Sequence, residues 1–530
     1  MDETGRRIAP WAAAIAGMLA GGVAIAASEV LAGVIPGWPS LVIAIGDLLI
    51  ALQPPGAKDI VVSLFGTNDK LALNVAIVVV ALGVAAVAGI VAARRFWFGA
   101  GVFVVFGAVA AIAAAREPLV SSILAVLAAT VSVIAGIVAL RLLLGIAPGR
   151  APADRGAATV PPGAPASPTD DASDDWTRRR FLIASAGTLG GVVVVGAAGR
   201  ALLDSQHSND IVVSTKLPPV FRSAAPPTPD QTLQIPGISP LVTPNDDFYR
   251  IDTALLVPNV DVESWRLEVT GMVDHPGSFS YDELLAMPLY EQYVTISCVS
   301  NRVGGDLVGN ALWTGVRLKD VLEAAGVQQG ATQIVGRSVD GFTAGFPTAW
   351  ALEPDREPLI VVGMDRKPLP LEHGFPARLI VPGLYGYVSA TKWLSEIQLT
   401  TREAVDGYWV PLGWAKDAPI LTQSRIDVPT NGARLAPGTV EIGGVAWAPD
   451  RGISAVEVRI DDGQWQPARM STPLSDATWV QWVLTWTAPQ GQHSIEVRAT
   501  DGTGTIQTDE RTEPAPDGAR GHHRISVTIG

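Results

Sequence analysis

The 530 residues include one cysteine, Cys298, and six histidines, none of them before His207. A single cysteine excludes any internal disulfide framework. The histidines (207, 275, 373, 493, 522 and 523) show neither His-x-His nor His-Glu-x-x-His spacing, and only His522 and His523 adjoin, so no metal site built from protein ligands alone is legible. Residues 1 to 203 contain no His and cannot hold a bis-His haem. Strongly basic blocks are also lacking. The net charge of -13 and a pI near 5.0 argue against nucleic acid as a partner.

What the front of the chain has in excess is hydrocarbon. From Trp11 to about Leu144 it is mostly Ala, Val, Ile, Leu and Gly. Crossing a bilayer takes roughly 20 apolar residues of helix, and the stretches Trp11 to Ile35, Leu71 to Ala93, Trp97 to Ala115 and Leu119 to Leu144 satisfy that, as does Phe181 to Leu203. The run LVIAIGDLLIAL (Leu41 to Leu52) is short and holds Asp47, which points to an interfacial or re-entrant piece, with a strained sixth span as the alternative. Arg6, Arg7, Arg94, Arg95, Arg141, Arg150, Arg155 and Arg178 to Arg180 fall on one side, against Lys58, Lys70 and Arg116 on the other. The positive-inside bias then puts the N-terminus in the cytoplasm and everything after Leu203 outside. TRRRFLIASAG (Thr177 to Gly187) resembles a twin-arginine export signal, with Ile183 where Lys is often found.

These patterns predict a multi-domain chain. Residues 1–145 form a four-helix transmembrane region, 146–180 a disordered Pro/Ala/Asp-rich cytoplasmic linker, 181–203 the fifth transmembrane helix and 204–230 a second linker whose prolines favour an extended stalk. In 231–405, runs such as SWRLEVTG, YVTIS and ARLIVPG alternate with SYDELLAM and RLKDVLEAAG, the texture of an α+β domain, and Ser280 to Glu283 has the form of a capping box. Residues 406–530 comprise a connecting segment and strands broken by Asp-Gly, Gly-Gln and Pro-Asp turns, which predict an all-β immunoglobulin-like sandwich without a crossing Cys pair.

Cys298 closes the run TISCVSNRVGG, at the end of a strand and before Ser300, Asn301, Arg302, Gly304 and Gly305. A lone Cys is commonly a buried small hydrophobe. At a turn where backbone amides and a guanidinium lower its pKa, it is instead a nucleophile or a soft metal ligand. No histidine motif supplies a base for the nucleophile, and no second Cys supplies a protein-only metal site, so a metal here would take most of its ligands from a cofactor.

TISCVSNRVGGDLVGNALWTGVRLKDVL, TPNDDFYRID, LEHGFPARLIVPGLYGYVSATKWL and the sandwich that follows are similar, in that order, to the sulfite oxidase family of molybdopterin-dependent oxidoreductases, and the membrane part resembles bacterial membrane-anchored members. The resemblance implies that the Cys298 thiolate binds molybdenum beside a single pterin dithiolene. It implies pterin contacts from Asp246, Tyr249 and Arg250, with Arg250 also binding an anionic substrate, from Ser338, from His373 and Arg378, and from Ala390, Thr391 and Lys392 around a phosphate. Arg and Lys forks with glycine-permitted backbone approach suit such an anion. Family members often carry Asn in place of Asp246 and a His in place of Asp252. They place a Tyr near the metal where Trp414 stands here.

The resulting expectation is a membrane-anchored, extracytoplasmic oxidoreductase that transfers an oxygen atom to or from a small substrate at a molybdenum cofactor, with a separate cytochrome or quinone as electron partner. The resemblance also implies a homodimer through the sandwich, unless the helical bundle prevents or replaces that packing. The departures count against sulfite. Two other readings are a reductase repairing oxidised methionine in envelope proteins and a non-enzymatic membrane scaffold.

Overall fold

A computed structural model describes residues 7–35, 37–53, 69–150, 169–206, 215–353 and 356–530. The chain divides into two compact units, residues 1–208 with 253–257, and 209–252 with 258–530.

In the first unit the helices are α1 Pro10–Val34, α2 Leu41–Leu52, α3 Asp69–Ala92, α4 Phe96–Ala115, α5 Ser122–Gly145 and α6 Thr169–Gln206. Five of them, all but α2, are long and apolar enough to cross a membrane. With 12 residues, α2 rises only about 18 Å, against about 30 Å of hydrocarbon, consistent with the reading as a short, non-spanning piece. Ser40 caps it, its Oγ accepting from Ile43 N and donating to Glu29 at 2.7 Å. α1 is central, packing on α3, α5 and α6. Its AGMLAGGVAIAASEVLAG sequence explains why. A Cβ at Gly17 would lie 2.1 Å from Ala85 O, and one at Gly33 2.4 Å from Gly199 O, so glycine permits helix axes to approach as closely as they do.

The expected cytoplasmic linker 146–180 is shorter than predicted. α6 begins at Thr169, twelve residues ahead of Phe181. Residues 151–168 lie outside the described residues. The second linker also departs from a free stalk: Phe221 N donates to Leu289 O at 2.8 Å and Glu291 N to Arg222 O at 2.9 Å, so the extended chain adds itself to a strand edge.

In the second unit, one five-stranded sheet contains β3 Leu289–Ser297, β4 Val308–Arg317, β7 Leu359–Met364, β8 Lys367–Pro368 and β9 Arg378–Ile380, in the order β8-β7-β4-β3 with β9 also on β7. The other contains β1 Arg266–Gly271, β2 Gly277–Ser280, β5 Gln333–Ser338, β6 Thr343–Pro347 and β10 Leu394–Thr400, in the order β2-β1-β10-β5-β6, with β1 and β10 parallel. Short helices α7 Tyr281–Ala286, α8 Leu318–Ala325, α9 Thr348–Leu352 and α10 Gly386–Ser389 join them. The capping box is present: Ser280 N donates to Glu283 Oε2 at 2.8 Å, and Glu283 N to Ser280 Oγ at 3.2 Å.

The C-terminal part is two facing sheets. β11 Gln423–Val428, β13 Gly438–Trp447, β17 Val480–Ala488 and β16 Arg469–Met470 are ordered β11-β13-β17-β16; β12 Arg434–Leu435, β19 His523–Ile529, β18 Gly491–Asp501, β14 Ile453–Ile460 and β15 Gln466–Pro467 are ordered β12-β19-β18-β14-β15. Inward residues of alternating strands, among them Ile442, Val456, Trp482, Val497 and Val527, fill the space between them. The α+β part is tied to it by Trp479, whose indole donates to Leu241 O at 2.7 Å and whose amide donates to Thr295 Oγ1 at 2.8 Å.

Candidate active site

β3 is buried along nearly its whole length, its polar residues Glu291, Thr295 and Ser297 included. It delivers Cys298, 8% exposed, to a turn. The Cys298 amide donates to Leu307 O at 2.9 Å, Asn301 N to Cys298 O at 3.1 Å, and Leu307 N to Asn301 Oδ1 at 3.0 Å, so residues 298–307 close on themselves. Gly304 sits at φ +78°, where a Cβ would also meet the His523 ring at 2.4 Å. Glycine is required there by conformation and by space together. Arg425 Nη1 from β11 donates to Gly305 O at 2.8 Å, and Ile426 N donates to His523 Nδ1 at 3.0 Å. The turn that carries the thiol is therefore braced from the sandwich side. Arg302 is not the guanidinium expected over the sulfur: its side chain is 60% exposed and reaches Glu513 at 3.7 Å.

Two buried phenols lie near enough to Cys298 to feel its charge. Tyr249 is raised by burial first and then by Cys298, with Arg378 opposing. Tyr385 is also raised mainly by burial, with Cys298 and Asp517 adding and Arg520 opposing. Tyr249 stacks on Phe248 at 5.2 Å, and Phe248 in turn meets the edges of Trp313 and His373.

A second cluster lies beside this one. His373, in a short turn before cis Phe375-Pro376, bonds through Nε2 to Asn245 O at 3.0 Å, and burial, then Lys392, depress it to about 4. It is therefore neutral, with its proton on Nε2 and a lone pair on Nδ1. Arg378, 3% exposed on β9, donates to His373 O at 3.0 Å and Ala390 O at 3.5 Å and lies 5.1 Å from the centre of the Trp313 ring. Burial pulls it down to about 10, and Tyr249 is the one group that acts in the other direction, no carboxylate among the described residues doing so. Among the described residues, His373 Nδ1, Arg378 Nε and Asn245 Oδ1 are buried with no hydrogen-bond partner.

The remaining expected residues are distributed around this core. Lys392 Nζ donates to Asp252 Oδ2 at 3.0 Å and Glu372 O at 2.9 Å, and burial lowers it to about 8 although Asp252 pulls it up. Arg250 Nε donates to the same Asp252 oxygen at 3.0 Å, so the carboxylate that replaces the expected His holds both cations. Ser338 Oγ accepts from Asp340 N at 3.4 Å, and Asp340, raised by burial, feels Asp252 and Lys392, which places this turn in the same neighbourhood. Thr391 Oγ1 donates to Gly336 O at 3.3 Å; Ala390 offers its carbonyl to Arg378. Asp246 is exposed, in the turn Asn245–Asp247.

Sequence reasoning missed Tyr385 and the segment beside it. Gly518, at φ +112°, would place a Cβ 2.5 Å from the Tyr385 hydroxyl, and Arg520 of the same segment pairs with Asp517 at 2.6 Å. No local signal links these residues, which are more than a hundred positions apart. Trp414, noted where a Tyr was expected, lies 5.9 Å from Tyr387 and 6.4 Å from Trp409, which packs at 5.0 Å on Tyr408.

A buried cation without a counter-ion and unpartnered polar atoms around it fit a polar, anionic group better than they fit a packed core. Comparison with known proteins bears on what that group is. Residues 254–409 match the family described as an oxidoreductase molybdopterin binding domain, and residues 423–497 the bacterial Ig domain. The chain is 31% identical to mitochondrial sulfite oxidase of Homo sapiens over 318 residues, covering 51% of this chain and 57% of that one, so it spans little more than half the length of that relative. It is 37% identical over 154 residues to the uncharacterized oxidoreductase YuiH of Bacillus subtilis, 29% of this chain and 74% of that one. The sulfane dehydrogenase SoxCD of Paracoccus pantotrophus is a structural neighbour at 20% identity and a TM-score of 0.48, covering 57% of this chain and 86% of that chain. With the thiol, the unpaired guanidinium and the family and sequence matches in place, the chain belongs to the sulfite oxidase family of molybdopterin-dependent oxidoreductases, whose cofactor is the molybdenum cofactor.

Proposed function

We propose that this enzyme transfers an oxygen atom to or from a small substrate, with its catalytic domain, residues 231–405, held outside the cytoplasmic membrane by five transmembrane helices. An immunoglobulin-like domain follows it. The helix lengths, the distribution of arginines and the Arg-Arg-Phe-Leu stretch support that placement. The observation that carries the reading is Arg378, buried without a carboxylate among the described residues and with Nε unsatisfied, beside the lone pair of His373. The molybdenum cofactor, when bound, supplies the two-electron oxygen-atom chemistry. Cys298 would hold the metal as a soft thiolate ligand. Arg378 and His373 would bind the pterin, Tyr249 and Ser338 would orient it, and Ala390, Thr391 and Lys392 would meet its phosphate. Asp246 and Arg250 would contact the pterin as well, with Arg250 and Arg520 also on the substrate side.

The test is the metal. Cys298→Ser should fold with unchanged secondary structure yet retain less than a tenth of the molybdenum that the parent chain carries, read by elemental analysis and by the electron paramagnetic resonance signal of Mo(V). Full metal content in that variant would remove the thiolate from the site.

A second reading concerns substrate. Asp252 occupies both Arg250 and Lys392, Asp517 occupies Arg520, and aromatic rings rather than free cations cluster at Tyr387, Trp409 and Trp414. This favours an uncharged sulfoxide, such as oxidised methionine in an envelope protein, over sulfite. Parallel assays with the two substrates decide between them. The electron partner would be a separate cytochrome or a quinone, and the sandwich would pair two copies only where the helices leave it free.

A further inference from the structure

The helical unit contains an apolar cavity of about 120 Å³ among α1 to α5, lined by Ile25, Ile45, Ile77, Ala81, Phe106 and Ser132 together with smaller residues. That is close to the roughly 150 Å³ of an apolar protein cavity that stays dry and takes up benzene, so the space is of the size of one six-membered ring. Phe106 is 40% exposed, so one wall reaches the outer face of the unit, the face that hydrocarbon would cover.

One atom is out of keeping with these surroundings. Hydroxyls in apolar helices ordinarily bond the carbonyl one turn back, and here Thr130 does so to Val126 O at 2.7 Å and Thr188 to Ala184 O at 2.8 Å. Ser132, 4% exposed and on the cavity wall, has its Oγ buried without a partner among the described residues; Ser185 Oγ of α6 also lacks one, but it does not line the cavity. Ser132 thus lines an apolar, ring-sized space with a donor that lacks an acceptor. A lipid acyl chain would fill the space but offers no acceptor, whereas a ring carbonyl with an apolar tail supplies both halves.

We infer that this cavity binds the head group of an isoprenoid quinone, with Ser132 donating to a quinone carbonyl and the tail leaving past Phe106. The inference rests on the oxidoreductase reading above and names its electron partner. Residues 1–203 have no His for a bis-His haem, which leaves this unit without that alternative carrier. The balance is one electron pair and two protons: quinol and the oxygenated substrate on one side; quinone, the deoxygenated substrate and water on the other. Either direction of the enzyme uses the same equation. Ser28, whose Oγ accepts from Leu41 N at 3.1 Å, fixes the start of α2, which forms part of the cavity wall.

The experiment uses the full chain in phosphatidylcholine nanodiscs with a photoreactive azido-ubiquinone carrying a short isoprenoid tail, and reads adducts by peptide mass spectrometry. Adducts should map to α3, α4 and α5 around Ala81, Phe106 and Ser132 and be displaced by unlabelled ubiquinone. Ala81→Trp, which fills the space, should lower labelling at least about ten-fold. Ser132→Ala should weaken binding about five-fold, the worth of one hydrogen bond. Leu142→Trp, on the outer face at 67% exposure, should leave it unchanged. Labelling that survives Ala81→Trp, or that a diacyl lipid displaces as well as ubiquinone does, overturns the proposal. Should Ala81→Trp fail to fold, unchanged affinity in Ser132→Ala overturns it instead. Molybdenum content, measured on the same samples, reads the catalytic assignment independently.

Discussion

Replacing Arg378 by Met separates a residue kept for a bound anion from one kept for the fold. At 3% exposure its charge is desolvated, and burial pulls its pKa down to about 10, a cost on the order of 3 kcal/mol at about 1.36 kcal/mol per unit. Because the folded value lies below the unfolded one, the cost is present at every pH below about 10 and is relieved only as the pH rises from there toward the ordinary guanidinium range. Against it stand two hydrogen bonds to carbonyls, about 1 kcal/mol each, and a cation-π contact over Trp313 of roughly 0.5 to 2 kcal/mol. The two sides nearly cancel. Met, unbranched and of similar reach, should therefore change the stability of cofactor-free protein by less than about 1 kcal/mol, where breaking a buried ion pair costs about 3 to 5 kcal/mol. Retention of cofactor should fall by ten-fold or more, since a charge-assisted bond is worth about 1.5 to 3 kcal/mol. The assay is urea unfolding of cofactor-free chain beside molybdenum and pterin content of the purified enzyme. A loss of several kcal/mol with cofactor content intact would show that the guanidinium serves the fold, and the argument from the unpaired charge would fail.

Acid should loosen the brace behind the thiol. His523 accepts from Ile426 N and is held by burial, then by Arg425, at about 4 against 6.5 unfolded, so its contribution of up to about 3 kcal/mol is complete above pH 6.5 and lost as the pH falls through 4. His523→Gln should remove part of the acid sensitivity of unfolding, with His373 accounting for a similar share. Asp252→Asn leaves Lys392 and Arg250 without their shared counter-charge; stability should drop by about 3 to 5 kcal/mol in thermal melts while sulfite binds more tightly. Tighter anion binding failing to appear would place the pair away from the substrate. Gly304→Ala combines a positive φ with a clash on His523 and should cost at least about 2 kcal/mol and much of the molybdenum, whereas Gly504→Ala, at φ +86° in open space, should cost about 1 kcal/mol with metal retained.

What the sequence made legible was whatever depends on neighbours along the chain. Long apolar runs, the Ser280 to Glu283 cap and the strand that ends at Cys298 follow from spacing, because helix and strand repeat over a few residues. The α6 start at Thr169 was hidden because the stretch that opens it has the composition of a linker. The attachment of residues 221–222 to β3 was hidden because an extended chain reads alike whether it is solvated or paired. The hold on Cys298 is of a different kind. Gly304 needs its shape because of His523, Gly305 O is fixed by Arg425, and Tyr385 is confined by Gly518, contacts that each reach across more than a hundred residues and leave no periodic trace. These contacts also change what the C-terminal sheets are for. If the turn 298–307 owed its form only to its own amides, the sandwich would be an appendage. Since its carbonyl at 305 and its positive-φ glycine both close on β11 and β19, the position of the sulfur is set by the seam between the two folds, and a sandwich substitution at Arg425 acts on the thiolate from outside the catalytic domain.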